Sequence, residues 1–284
     1  MIERRYPSKV LLFGEYTVLH GGTALALPYH GFWGQAGHNV HRSIEDWQPL
    51  LSFLEKINNR LAYRLDLSRL NREIQMGLEF ISNIPIGHGV GSSAALCAFL
   101  YENFSEHPLN YNLTALMADL AEIESFFHGK SSGFDPLISL LGKPLKYGST
   151  GPEFVDIPSF EKLHLYLVGP SKSRTSGPLV SSYKKMLRVK NFTSDMDDLA
   201  DLTDQIIEIF LTGDHGSLWP MLKKLSLAQS NNLNFLIPPY HEKKWKRLSE
   251  EGNFIIKLCG AGGGGFLLAF GEDDLSDKEF LKVF

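Results

Sequence analysis

Two cysteines in 284 residues are too few for a disulfide framework, and both, Cys97 and Cys259, sit in apolar surroundings. Two buried thiols in a reducing compartment are therefore expected. No stretch reaches the roughly 18 consecutive apolar residues that a membrane-spanning helix needs. Residues 1–7 are charged and lack the apolar core of a signal sequence. Both absences lead us to expect a soluble, cytoplasmic chain. Excess positive charge is missing too. The net charge is −4, so no overall field draws nucleic acid or an anionic membrane to the surface. Basic stretches at Lys184–Lys185, Lys223–Lys224 and residues 243–247 are short and read as solvated helix faces. Internal repeats are lacking, and one glycine run is the single low-complexity tract.

What is present is an ordinary globular composition, 43% hydrophobic and 21% charged, which argues against disorder. Apolar runs at 10–13 and 23–27 predict strands, the second ending at Pro28. Residues 45–60 alternate at helical spacing, and 73–81 reads as a further strand. Helices are expected at 92–104 and 113–127. The latter carries Leu113, Leu116, Met117, Leu120 and Phe127 on one stripe, with Gly129 as its stop. Beyond a Gly-, Pro- and Ser-rich stretch at 147–160, a strand at 163–168 precedes helices at 194–211 and 217–229. The Pro238-Pro239 pair breaks the chain before a short helix at 245–250. Strands at 254–259 and 266–270 flank Gly260 to Gly265. Without regular βαβ alternation, an α+β class is expected, with domains at 1–155 and 156–284.

Three segments carry chemistry. In residues 85–95, Pro-Ile-Gly-His-Gly-Val-Gly-Ser-Ser-Ala-Ala, alternating glycines let the backbone turn sharply and bring its N–H groups close to a ligand. The serines then open a helix whose N-terminus favours an anion. The Gly-Lys-Ser/Thr of a Walker A loop is absent, so this is a phosphate loop of another kind, or a glycine-rich turn before a closely packed helix. In residues 124–135, Glu124 falls on the apolar stripe of its helix while Glu122 faces away. A carboxylate there needs a cationic partner or a metal, and magnesium suits one or two protein oxygens completed by phosphates. Asp135, after Ser-Ser-Gly, is placed to accept a proton from an attacking hydroxyl, or is an ordinary turn or N-cap aspartate. The third segment, residues 257–266, is more glycine than a tight turn requires. It permits close approach of another backbone or a ligand, or is a flexible hairpin loop.

In combination these segments resemble the three motifs of the GHMP kinases. Residues 8–22, Ser-Lys-Val-Leu-Leu-Phe-Gly-Glu-Tyr-Thr-Val-Leu-His-Gly-Gly, are similar to the first motif. Residues 85–95 resemble the second, with Val90 where Leu is usual, and 257–266 the third. Glu124, His128-Gly129, Ser132-Gly133 and Asp135 are most similar to the pattern of the mevalonate kinases within that family, with phosphomevalonate kinases next. The resemblance implies a two-domain α+β GHMP fold, with a ferredoxin-like C-terminal domain and the active site in the cleft between domains. It implies an ATP-dependent kinase acting on a small-molecule hydroxyl, with Asp135 as base and Lys9 beside it and the transferring phosphoryl group.

It further implies that Gly87, Gly89, Val90, Gly91, Ser92, Ser93 and Ala94 bind ATP. Ser93 and Glu124 would coordinate Mg2+, and Glu15, Tyr16, Arg174 and Ser176 would face the acceptor. An Arg suits an acceptor carboxylate because its planar fork engages both oxygens. Dimers occur in the family, so a homodimer is compatible with it. Tyr16 stands where mevalonate kinases usually have His, Pro136 where Asn is common, and Lys130-Ser131 in place of a small or Pro pair. These departures bear on the acceptor, and an extra Lys there suits a phosphorylated one. A decarboxylase of the superfamily commonly begins its second motif with Ala-Ser-Ser, not Gly91-Ser92-Ser93. A non-catalytic sensor of the same fold is expected to lose Lys9, Glu124 or Asp135, all present here.

Overall fold

The structure, a computed structural model, describes residues 4–39, 44–106, 112–169, 176–250, 254–274 and 279–284. It is an α+β fold whose chain forms two compact units interleaved in sequence. The first is Met1–Lys9, Pro28–Pro85 and Gly91–Lys143; the second is Val10–Leu27, Ile86–Val90 and Pro144–Phe284. Strands β1 (Tyr6–Phe13) and β2 (Ala24–His38) each run from one unit into the other.

In the first unit, β2 pairs antiparallel with β3 (Leu78–Ser82), from Gly34↔Ser82 to His38↔Leu78. The expected end of β2 at Pro28 is not observed. Pro28 lies outside both the Gly34–His38 ladder with β3 and the Ala24–Ala26 ladder with β4 (Leu145–Gly148), so its missing N–H interrupts neither. The strand expected at 73–81 begins late, because α2 (Leu67–Gln75) occupies its first residues. Asp66 caps α2 by accepting the Arg69 N–H at 2.9 Å, and Leu70 and Ile74 bury one face four residues apart. The expected helices are α1 (Gln48–Ile57), α3 (Ser92–Phe104) and α4 (Leu113–His128).

Helix α3 has no polar stripe and is buried almost all round, from Ala94 to Phe104. Asn112 caps α4 through the Thr114 and Ala115 N–H groups, and Gly129 ends it at φ 74°. Buried Asp119 of α4 accepts from the Tyr101 hydroxyl of α3 at 2.8 Å and from the Ala62 and Tyr63 amides. That bond ties together the two helices that carry Ser93 and Glu124. Helix α5 (Phe134–Leu141), which periodicity did not reveal, follows directly and packs on both α3 and α4.

In the second unit, β4 pairs with β5 (Gly151–Phe154) in a hairpin. A separate four-stranded antiparallel sheet runs in the order β7-β8-β6-β9, with β6 His164–Val168, β7 Phe254–Leu258, β8 Leu267–Gly271 and β9 Phe280–Lys282. Counted along its own chain segment and read from β9, this is the 4-1-3-2 order of a ferredoxin-like sheet. Its helices are α6 (Ser176–Met186), α7 (Phe192–Thr212), α8 (His215–Asn232) and α9 (Pro239–Glu250). Pro239 breaks nothing. It is the first residue of α9, where a missing N–H has no cost and φ is already helical. Cys97 and Cys259 are both buried free thiols, as expected.

Candidate active site

Within the first unit, four expected residues from separate stretches of sequence meet. Lys9, near the middle of β1, is buried to 6% side-chain exposure, and its Nζ lies 2.8 Å from Asp135 Oδ2. Gly91 makes room for that lysine. Its φ is 86°, and a Cβ there would stand 3.0 Å from Lys9 Cγ. Gly91 also precedes α3, so Ser92 and Ser93 occupy the first helical positions. Asp135 sits in the first turn of α5. That helix can start so close to α4 because Gly133 has φ 74° and no side chain, and a Cβ there would collide with the Met117 carbonyl. Asp135 keeps 36% side-chain exposure, so its carboxylate is both paired and accessible.

Glu124 is buried, as its place on the stripe requires, and Glu122 is on the open side, 3.5 Å from Arg60. The Ser93 hydroxyl donates to Glu124 Oε1 at 3.0 Å, and the Ser131 hydroxyl donates to Oε2. Burial pushes the Glu124 carboxyl up to about 7, and the charge of Asp135 adds to the rise; the two serines and Lys9 pull it back. His128, one turn along α4, has Nε2 3.0 Å from Ser93 Oγ. The Ser93 proton is committed to Glu124, so the His128 ring donates and Ser93 accepts. Burial lowers the His128 pKa, which favours that neutral ring. Ser131 also accepts the Gly133 N–H at 2.9 Å and so ties Glu124 to the start of α5. Sequence reasoning overlooked the roles of Ser131 and His128. Their signal was the spacing of seven and four residues after Glu124, which returns Ser131 to its carboxylate and His128 to the Ser93 hydroxyl bonded to it.

In the second unit, Gly87 and Gly89 adopt φ 76° and 80°, as a tight ligand-approaching loop requires, and Val90 is fully buried. The run Gly260 to Gly265 joins β7 to β8, and five of its residues have positive φ. Glu15 and Tyr16 turn inward. The Glu15 carboxylate pairs with Lys257 Nζ at 2.5 Å, with both side chains 1% exposed, and also takes a hydrogen bond from Gln229 Nε2 at 3.4 Å. Burial pushes the Glu15 carboxyl up and Lys257 draws it down, and burial is the larger effect. The Tyr16 hydroxyl donates to the Ala261 carbonyl at 2.8 Å. Arg174 lies outside the described residues, and Ser176 opens α6 with its side chain outside them. Lys130 is exposed.

An oxygen-only set, one buried carboxylate and one hydroxyl, fits a hard divalent cation completed by phosphate oxygens. Lys9 beside an accessible carboxylate fits proton removal from a hydroxyl next to a transferring anion.

Comparison with known proteins gives the same direction. Residues 54–143 match the GHMP kinases N terminal domain. The mevalonate kinase of Pyrococcus abyssi is 26% identical over 302 residues, covering 93% of this chain and 86% of that protein. Among solved structures, L. major mevalonate kinase in complex with R-mevalonate superposes with a TM-score of 0.67 at 18% identity, covering 96% of this chain and 88% of that one. Streptococcus pneumoniae phosphomevalonate kinase, in complex with phosphomevalonate and AMPPNP, gives 0.67 at 15% identity, covering 96% and 93%. At such identities the structures speak for the fold. The domain match over residues 54–143 and three motifs in order along one chain make this protein similar to the GHMP kinases.

Proposed function

We propose that the protein transfers the γ-phosphate of ATP to the hydroxyl of mevalonate, giving 5-phosphomevalonate. The observation that carries this reading is the Lys9–Asp135 pair, within one cluster with Ser93 and Glu124. Asp135 accepts the proton as the acceptor oxygen attacks in line. Lys9 stabilises the emerging alkoxide and the phosphoryl charge. Backbone N–H groups of Gly87, Gly89, Val90, Gly91, Ser92 and Ala94 cradle the phosphates, helped by the N-terminus of α3. Ser93 and Glu124 would hold Mg2+, which when bound neutralises phosphate charge. His128 keeps the Ser93 hydroxyl turned toward Glu124.

Arg174 and Ser176 are assigned to the acceptor side on the family resemblance. The division into domains 1–155 and 156–284, a cytoplasmic location and a homodimer belong to the same reading. Exposed Lys130 favours a second reading, a phosphorylated acceptor, because an extra ammonium suits an extra phosphate. A coupled ADP-release assay with mevalonate, phosphomevalonate, sugars and amino-acid alcohols decides the matter. Preference for mevalonate by at least about tenfold, roughly 1.4 kcal/mol in transition-state binding, is expected. Equal or greater activity with another acceptor sinks the assignment.

A further inference from the structure

We propose that Glu15 and Tyr16 are positioning residues for the nucleotide loop, acting through the glycine run Gly260 to Gly265. The proposal rests on the reading that residues 87–94 bind ATP. Tyr16 is one of two non-glycine residues with positive φ among the described residues, at 62°, a conformation that costs a bulky side chain. Three contacts hold it there. Its ring stacks on Tyr183 at 4.5 Å and 28°, its hydroxyl donates to the Ala261 carbonyl, and Tyr183 is itself fixed by His20 Nε2 at 2.6 Å. His20 in turn is held through Nδ1 by Asp197 at 2.7 Å. The neighbouring Glu15 binds Lys257, the first residue of the third motif, and takes a further hydrogen bond from the Gly260 amide. Two adjacent residues of the first motif thus grip the third motif at three successive places, 257, 260 and 261.

The glycine run passes that grip on. The Gly263 N–H donates to the Leu236 carbonyl at 2.6 Å, and a Cβ at Gly262 would strike the same carbonyl. A Cβ at Gly265 would collide with the backbone carbonyl of His88, and the His88 ring lies 6.1 Å from that of Phe266. His88 sits between Gly87 and Gly89 of the nucleotide loop. The run is therefore clamped, with Glu15 and Tyr16 on one side and the nucleotide loop on the other. The Glu15 carboxylate is sealed at 1% exposure, and the single Tyr16 hydroxyl proton is committed to Ala261. Their chemistry is spent inside the protein.

The test is Tyr16→Phe, which keeps the stacked ring and removes the bond to Ala261. Steady-state kinetics for both substrates are paired with binding of a fluorescent ATP analogue in the absence of acceptor. The expected result is a rise in both the KM for ATP and the analogue Kd of about three- to tenfold, the worth of one hydrogen bond, with the acceptor KM within twofold. Tyr183→Leu, which removes the stacking partner, gives the same split. Its agreement guards against one variant misfolding, which a melting curve for each reports. A raised acceptor KM with unchanged nucleotide binding overturns the proposal, as does an equal rise in both constants. If the wild-type protein binds no nucleotide, the reading of the loop falls and the proposal falls with it.

Discussion

The protein contains two lysine–carboxylate pairs built from the same chemistry that differ in access to solvent. Lys9 and Asp135 are 2.8 Å apart, and the carboxylate is 36% exposed. Lys257 and Glu15 are 2.5 Å apart, and both side chains are 1% exposed. A half-open carboxylate can meet a hydroxyl, take its proton and give it up to water. A sealed pair can do neither. Its value lies in geometry, since removing one partner strands a charge in a low-dielectric interior. Distance alone does not separate a reactive pair from a structural one; access does.

Four substitutions or conditions separate the open pair and its neighbours from the sealed one, the most damaging first. Lys257→Met should destabilise the protein by about 3–5 kcal/mol, because it leaves Glu15 buried without its cation. Denaturant unfolding checks this, and a midpoint like that of the wild type would count against the sealed pair. Lys9→Met should leave the unfolding midpoint nearly in place and lower kcat by about 10²–10³-fold, the cost of losing one preorganised electrostatic stabiliser. A variant with normal kcat would remove Lys9 from the chemistry. Ser93→Ala should raise the magnesium concentration needed for half-maximal rate by about tenfold or more, since outlying and direct metal contacts commonly matter on that scale. An unchanged titration would deny Ser93 a ligand role.

The smallest effect is a pH dependence. Glu124 titrates at about 7 in the folded protein against an ordinary 4.5, so the folded state binds the extra proton in that interval. The stabilisation from this group is full below the unfolded value and is lost as pH rises through about 7. The nucleotide-free protein should therefore melt somewhat higher at pH 5.5 than a Glu124→Gln variant's own pH trend accounts for. The magnesium requirement should move the opposite way and rise as pH falls below about 7, because the protonated carboxyl is a poor ligand. Parallel pH trends for the wild type and Glu124→Gln would contradict the assignment.

The open pair and its surroundings were largely legible in the sequence, and the sealed pair was not. Glu124 could be placed because its spacing from Leu116 and Leu120 put a carboxylate on a buried stripe, and α4 does bury it. The glycine loop announced itself by alternating residues that only glycine fills at positive φ. The Lys9–Asp135 contact came from motif resemblance, not periodicity, and α5, which presents Asp135, has no sequence signal of its own, because its eight residues follow Ser-Ser-Gly without a side-chain cap. Residues 73–81 show the same weakness: α2 and β3 follow one another so closely that the helical and strand patterns overlap. Glu15 and Lys257 are 242 residues apart, and no local pattern links them. Only the surplus of glycine after Lys257 hinted that backbone approached there, and the structure brings Leu236 and His88 to it.

The most direct test of the account is the single-turnover rate of Asp135→Ala with bound ATP and saturating mevalonate. Phosphoryl transfer should be abolished, by about 10⁴-fold or more, while the nucleotide Kd stays within a few-fold of wild type. Turnover near the wild-type rate in a variant that binds ATP normally would show that the open pair does not carry the chemistry.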